Sequence, residues 1–292
     1  MNMSSRWMHV LYAAICCAGA VWASMPLGAE TGSSPQKIVS VGGSVTEVVY
    51  ALGEEHRLVA RDTTSTYPPE VSSLPDVGYM RRLSPEGVLS VAPELILAEE
   101  GAGPPEVIDI LKEAQVPFIE VPEPYSREGI IAKIQAVGDA LGVADKARSL
   151  AEDVDAKLAA AEQNAKDDIR SPKRVLFVLS TEGGRVMASG TETGADAIIQ
   201  MSGGVNAATG FEGYKLMSDE AITVAAPDVI LMMDRGANHD VAEDELFAMP
   251  AVSTTPAAAE KALVRMNGLL LLGFGPRTAE AVTALNQALY PD

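Results

Sequence analysis

Ser84-Pro85-Glu86-Gly87-Val88-Leu89-Ser90-Val91-Ala92-Pro93-Glu94-Leu95-Ile96-Leu97 is matched further along the chain by Ser218-Asp219-Glu220-Ala221-Ile222-Thr223-Val224-Ala225-Ala226-Pro227-Asp228-Val229-Ile230-Leu231. Ser, Glu, Ala, Pro, Ile and Leu recur in register, at a spacing of 134 residues. Each copy reads as one unit. The serine caps a short helix, and the glutamate two residues on faces its positive N-terminal end. The proline breaks that helix, and the apolar run behind it suits a buried parallel strand. Helix-Pro-strand units are common in α/β proteins, but matched Ser, Glu and Pro make this pair a repeat. Solenoid units recur every ~20–50 residues, so a spacing this long points instead to two similar lobes.

Outward from the repeat, strand and helix alternate. Lys37 to Val41 reads as a strand that passes through Gly42-Gly43-Ser44 into a helix from about Val45 to Leu52. Strands follow at Leu58–Ala60, Leu95–Ala98 and Pro117–Val121, with a helix at Glu106–Ala114. In the second half Arg174–Leu179 and Val229–Met233 read as strands and Ala195–Met201 as a helix. Such alternation implies parallel-type sheets flanked by helices. From Val143 to about Asp168 there is no glycine, and Ala144, Ala147, Leu150, Ala151, Val154 and Leu158 recur at helical spacing. The expected organisation is therefore α/β, with an N-terminal lobe over 30–142, one long rigid linking helix over 143–170, and a C-terminal lobe over 171–292. The cleft between the lobes is the default ligand site.

Residues 1–29 read as a signal peptide. Arg6 precedes an apolar run from Val10 to Val21, and Leu27-Gly28-Ala29 offers small residues for cleavage. The run is short of the ~20 apolar residues that span a bilayer. Both cysteines, Cys16 and Cys17, fall inside this segment. What remains needs no disulfide and offers no thiolate, and an exported location is expected. The chain as a whole carries 22 Lys+Arg against 40 Asp+Glu, a net charge of −18. An acidic surface of that size gains nothing from counterion release, which argues against nucleic acid as a partner.

Few residues carry chemistry. Gly42-Gly43-Ser44 lacks the GxGxxG and GK[ST] patterns and reads as a tight turn rather than a nucleotide site. No HExxH or GxSxG stretch is present, so no enzyme activity is expected. His56 sits among charges in a loop, and His239 follows a strand end, where α/β ligand loops lie. Arg61-Asp62-Thr63-Thr64-Ser65-Thr66-Tyr67-Pro68-Pro69 is more distinctive. It suits either an ordinary surface turn or the display of a phenol at a lobe edge. A phenolate is a hard oxygen donor for ferric iron, haem iron included. Arg81, Arg82 and Arg235 are the candidate cations beside it.

These residues carry a resemblance. Arg61 to Pro68, Gly78-Tyr79-Met80-Arg81, Leu83 to Ser90, Ala195-Asp196-Ala197 and Gly203-Gly204 make the span from Lys37 onward similar to the periplasmic haem-binding proteins of ABC-type importers. That group falls within a wider class that also binds cobalamin and ferric siderophores. The resemblance implies that Tyr67 is the iron ligand and that Arg235 steadies the tyrosinate. It also implies that Glu86 and Glu220 dock on arginines of the membrane permease. Arg81 and Arg82 are candidates for the haem propionates, and His239 for a supporting role. Some relatives place a histidine after the strand equivalent to Val175–Leu179 and hold a second haem. Here Ser180-Thr181-Glu182 stands there, so one haem, five-coordinate through Tyr67, is expected. The expected partners are haem and an inner-membrane ABC permease, the expected location is the periplasm, and the carrier is expected to be a monomer. The same scaffold binding a ferric siderophore or cobalamin is the alternative.

Overall fold

The computed structural model describes residues 34–167, 171–234 and 241–291. The signal segment, Cys16, Cys17, Arg235 and His239 lie outside the described residues.

The first half is built on β1 (Ile38–Val41), β2 (Leu58–Arg61), β3 (Leu95–Glu99) and β4 (Phe118–Val121), in the order β2-β1-β3-β4. Every pair in this sheet is parallel. Ile38, Val39, Val41, Ile96 and Leu97 are fully buried. Helices cover both faces of such strands, so their sequence is continuously apolar rather than alternating. Those helices are α1 (Gly43–Ala51), α2 (Pro85–Leu89), α3 (Pro105–Glu113) and α4 (Arg127–Leu141).

The second half contains β5 (Arg174–Ser180), β6 (Met187–Ser189), β7 (Val205–Asn206), β8 (Tyr214–Leu216), β9 (Val229–Asp234) and β10 (Leu263–Asn267). Their order is β10-β9-β5-β6-β8, with β7 beside β5. β10, β9, β5 and β7 pair in parallel, whereas β6 pairs antiparallel with both β5 and β8. The sheet is thus mixed, and the parallel reading holds for its β10-β9-β5 side. The turn Glu182–Gly184 accounts for the difference, since Gly183 and Gly184 take φ of 64° and 73°. A connection that short joins strands only in opposite directions.

The repeat survives in three dimensions. Ser84 Oγ accepts from the Gly87 N–H at 3.1 Å, and Ser218 Oγ from the Ala221 N–H at 3.2 Å. Ala92 and Ala226 both turn left-handed, at φ 48° and 41°, just before their prolines. β3 then pairs with β1 and β9 with β5, the first strand of each half.

The halves meet along α5 (Ala144–Asp167), which α4 reaches through the left-handed Gly142. Ala147, Ala151, Val154, Leu158, Ala161 and Ala165 form the buried stripe of α5. Their small size lets it lie close against α4 and against α12 (Thr278–Leu289), which closes the chain. One apolar cluster includes Leu97 of the first sheet and Phe177 of the second. The linking helix therefore roofs a core that both halves share. The remaining helices are α6 (Gly194–Met201), α7 (Asp219–Ala225), three short turns α8 (Glu243–Ala248), α9 (Pro250–Ser253) and α10 (Pro256–Ala259), and α11 (Gly268–Leu272).

Candidate functional site

The carboxyl ends of parallel strands are where open α/β sheets bind ligands, because successive connections diverge there. Here two sheets bring such ends together. Ser44 follows β1 and Glu99 ends β3, while Met233 lies in β9 and Asn267 ends β10. With Leu269 and Leu272 of α11 they line a cavity of about 680 Å³. Met80, Tyr79 and Arg81 form part of its wall, as do Thr64 and Thr66. The volume is that of a small-molecule site, apolar on several sides with few charges.

Asp62 organises the polar run before Tyr67. Its buried carboxylate accepts from the Gly42 and Thr64 backbone N–H groups at 3.1 and 2.9 Å and from the Ser65 hydroxyl at 2.8 Å. Ser65 continues through Thr46 to Ser40, at 2.7 and 2.6 Å. The serine and threonines of this loop are thus largely scaffolding that ties it to the start of α1. Gly42-Gly43 is more than a turn. A Cβ on Gly42, at φ 108°, would sit 2.6 Å from Glu99 Cβ, and one on Gly43 would sit 2.5 Å from Leu269 Cδ1 in the other half.

Tyr67 is 41% exposed. Its neighbour Thr66 lines the cavity, and its own ring is capped by the Arg277 guanidinium, 3.5 Å from the ring centroid. Arg277 stands just before α12, in the second half. Its Nε and terminal nitrogen donate to the two Glu47 carboxylate oxygens at 3.0 and 2.5 Å. Burial pushes the Glu47 carboxyl up from its ordinary value, with the bidentate arginine opposing the shift. Glu47 in turn holds the Arg277 charge firmly in place against partial burial, raising its pKa. A planar guanidinium satisfies a carboxylate and an aromatic face together, which an ammonium does not.

Beside the cavity lies a buried charge cluster. Lys133 of α4 is fully buried. Its ammonium pairs with Glu123, donates to Ser44 Oγ at 2.7 Å and reaches the Gly273 carbonyl at 3.1 Å. Ser44 donates to Glu99 at 2.5 Å. Burial pushes the Glu99 carboxyl up, with Lys133 opposing. Glu123 is pushed up to about 8, again chiefly by burial. Two carboxylates buried around one ammonium titrate as a coupled set, with burial favouring the protonated form of each. Burial also raises the phenols of Tyr125 and Tyr214. Tyr125 packs against Phe274 at 5.2 Å, and Tyr214 against Phe177 at 6.3 Å.

Of the residues singled out in the sequence, Arg81 lines the cavity, and Arg82, next in the chain, is exposed and not part of that lining. Met233 lines the cavity, while Met232 belongs to the core under the second sheet. Glu86 and Glu220 are exposed in the first turns of α2 and α7. The Glu220 carboxyl is held below its ordinary value by its own backbone N–H and by Ser218. His56 is exposed in a single helical turn. Sequence reasoning named Tyr79 only within the Gly78–Arg81 motif, and missed Glu99, Lys133, Glu123 and Arg277. One signal was available: Lys133 interrupts the apolar face formed by Ile130, Ile134, Val137 and Leu141, a position where a charge needs a partner.

Residues 38–268 match the family described as periplasmic binding protein. Among solved structures, the periplasmic heme-binding protein BhuT in complex with two hemes is 40% identical, with a TM-score of 0.82, covering 87% of this chain and 97% of that one. An uncharacterized ABC transporter substrate-binding lipoprotein, YvrC of Bacillus subtilis, is 29% identical over 260 residues, 88% of this chain and 81% of the relative. A vitamin B12-binding protein of Pectobacterium atrosepticum is 24% identical over 223 residues, 75% of this chain and 78% of the relative.

Proposed function

This chain belongs to the periplasmic binding protein family, and from that premise we propose that it binds haem between its two halves and hands it to an ABC importer permease in the inner membrane. It acts in the periplasm as a carrier, with no turnover of its cargo. The observation that carries this reading is the cavity of about 680 Å³ between strand ends of both sheets, where Met80, Met233, Leu269 and Leu272 meet Arg81. A porphyrin needs apolar walls for its faces and a cation for its propionates. Tyr67, beside the cavity and under Arg277, supplies the phenolate for ferric iron. Arg81 takes a propionate, with Arg82, Arg235 and His239 as further supporting groups. Glu86 and Glu220, on equivalent helices, face the permease. The solved haem-bound relative supports haem as the cargo, and the substrate-binding lipoprotein supports the permease as partner.

Cobalamin is the second reading, favoured by the relative named for vitamin B12. Titration of the purified protein with haemin, cyanocobalamin and a ferric hydroxamate siderophore separates the cargoes. The expected result is a Soret band saturating at one haemin per chain and lost or shifted in Tyr67→Phe. Saturation by cyanocobalamin alone, or a Tyr67→Phe spectrum identical to wild type, overturns the reading. An endpoint of two haemins retains the cargo and removes the single-site assignment based on Ser180-Thr181-Glu182.

A further inference from the structure

Tyr67 belongs to the first half of the molecule, yet what covers its ring comes from the second. The Arg277 guanidinium carbon is 3.5 Å from the ring centroid, close enough for a face-on cation–π stack. The same guanidinium donates two hydrogen bonds to the Glu47 carboxylate, and Glu47 is on α1 of the first half. Glu47 and Arg277 side chains are 5% and 17% exposed, so water competes little for either. The backbone before Arg277 runs beside the same surface. A Cβ on Gly275 would lie 3.5 Å from both Glu47 Oε2 and Ser44 Cβ, in ordinary van der Waals contact with α1. Arg277 therefore closes a triangle, with an acid and a phenol from one half and a cation from the other.

Resting on the haem reading above, we propose that Arg277 is the positioning residue for Tyr67, holding the phenol ring where its oxygen meets the iron and doing so only while the two halves stay together. Among the described residues no hydrogen bond joins Arg277 to the Tyr67 hydroxyl. Its effect passes through the ring it stacks on and through Glu47, which fixes its plane. A tyrosine that is 41% exposed has no other restraint of this kind within the described residues. Separating the halves breaks the stack and the ion pair at one stroke, which frees the phenol. A permease that pulls the halves apart would thereby loosen the iron ligand without touching it.

The test uses the full carrier loaded with haemin, in wild type, Arg277→Gln, Arg277→Lys, Glu47→Gln, Tyr67→Phe and the Tyr67→Phe/Arg277→Gln double variant. Haemin dissociation is followed by transfer to excess apomyoglobin. The visible charge-transfer band of the ferric phenolate and the thermal midpoint are read on the same samples. Arg277→Gln is expected to speed dissociation by about tenfold and shift the band, since a well-ordered stack on an aromatic face is of that order. Arg277→Lys keeps the charge but not the plane, and is expected to recover only part of the loss. In the Tyr67→Phe background, Arg277→Gln is expected to add little. An equal factor in both backgrounds overturns the inference, because Arg277 would then act on the cargo or the fold rather than through Tyr67. Dissociation that follows the thermal midpoint across all variants overturns it as well. A ring-current shift of the Arg277 Nε–H resonance, lost in Tyr67→Leu, reads the stack in the ligand-free protein. If wild type fails to bind haemin, the haem reading falls and this inference with it. If it binds haemin but the two residues do not couple, this inference falls alone.

Discussion

Lys133 on α4 donates to the main-chain carbonyl of Gly273, 3.1 Å away and 140 positions later in the chain. That bond joins the two halves from within a buried site, and the same ammonium pairs with Glu123 and binds Ser44. The gap between the halves is therefore not lined by loops alone. It rests on a charge cluster whose members, Ser44, Glu99, Glu123 with Lys133, and the Gly273 carbonyl, come from four separate stretches of sequence.

Removing the ammonium strands its partners. Lys133→Ala leaves Glu123 and Glu99 buried without a cation, and a broken buried pair costs about 3–5 kcal/mol. Urea unfolding should show that loss. Lys133→Ala/Glu123→Gln should recover a large part of it, because the second change removes a buried carboxyl that has lost its partner. A single variant as stable as wild type would contradict the role given to the cluster.

The cluster also sets a pH dependence. Glu123 lies above the ordinary value of 4.5, at about 8, because burial outweighs the pull of Lys133. A carboxyl raised in the folded state binds its proton more tightly there than in the unfolded chain. Its contribution to stability is complete below pH 4.5 and drains away as the pH climbs through about 8. Glu99 and Glu47, both raised by burial, act in the same direction. The thermal midpoint should accordingly fall as the pH is raised across that interval, and Glu123→Gln should flatten the profile. A midpoint that climbs over the same interval, unchanged by the substitution, would contradict the upward shift of Glu123.

Gly43→Ala should disturb the fit between the halves more than the fold of either. Its Cβ would meet Leu269 Cδ1 at 2.5 Å and the Thr64 carbonyl at 2.7 Å. Leu269 can turn aside, but the Thr64 backbone cannot do so without moving the loop that carries Tyr67. Overpacking of this kind costs about 1–3 kcal/mol. Haemin affinity should fall alongside the modest loss seen in unfolding, and calorimetry on one sample can read both.

Glu86 and Glu220 make a contrasting prediction. Both are exposed at the starts of matched helices, far in role from the cavity. Exposed ion pairs contribute ~0–1 kcal/mol each, so they orient docking more than they drive it. Glu86→Gln/Glu220→Gln should leave haemin affinity unchanged and lower ATP-driven uptake through the reconstituted permease. The defect should resemble the effect of raising the salt on wild type. Equal uptake by the double variant at low salt would free these glutamates from the role.

Much of the architecture was legible because its causes are local. A capping serine, a proline, a β-branched run and an alanine stripe each act within a few residues. β1, β3, β5, β9 and α5 accordingly lie within a residue or two of where periodicity puts them. The matched serines and prolines also implied two equivalent units, to which the structure adds the left-handed Ala92 and Ala226. Even so, periodicity does not reveal the short strands that make the second sheet mixed, since Met187–Ser189 and Tyr214–Leu216 are three residues each.

The order of most elements and the two similar halves were thus determined by the amino-acid sequence itself, through short-range propensity and a long-range likeness of two segments. Only the tertiary structure could decide which groups surround the site. Arg277 meets Glu47 across 230 positions, and Lys133 meets Ser44 across 89. No spacing rule links such residues, because they become neighbours only when two sheets and the helix over them have packed. A buried charge announces that it must have a partner; which one it finds is fixed by how the halves close.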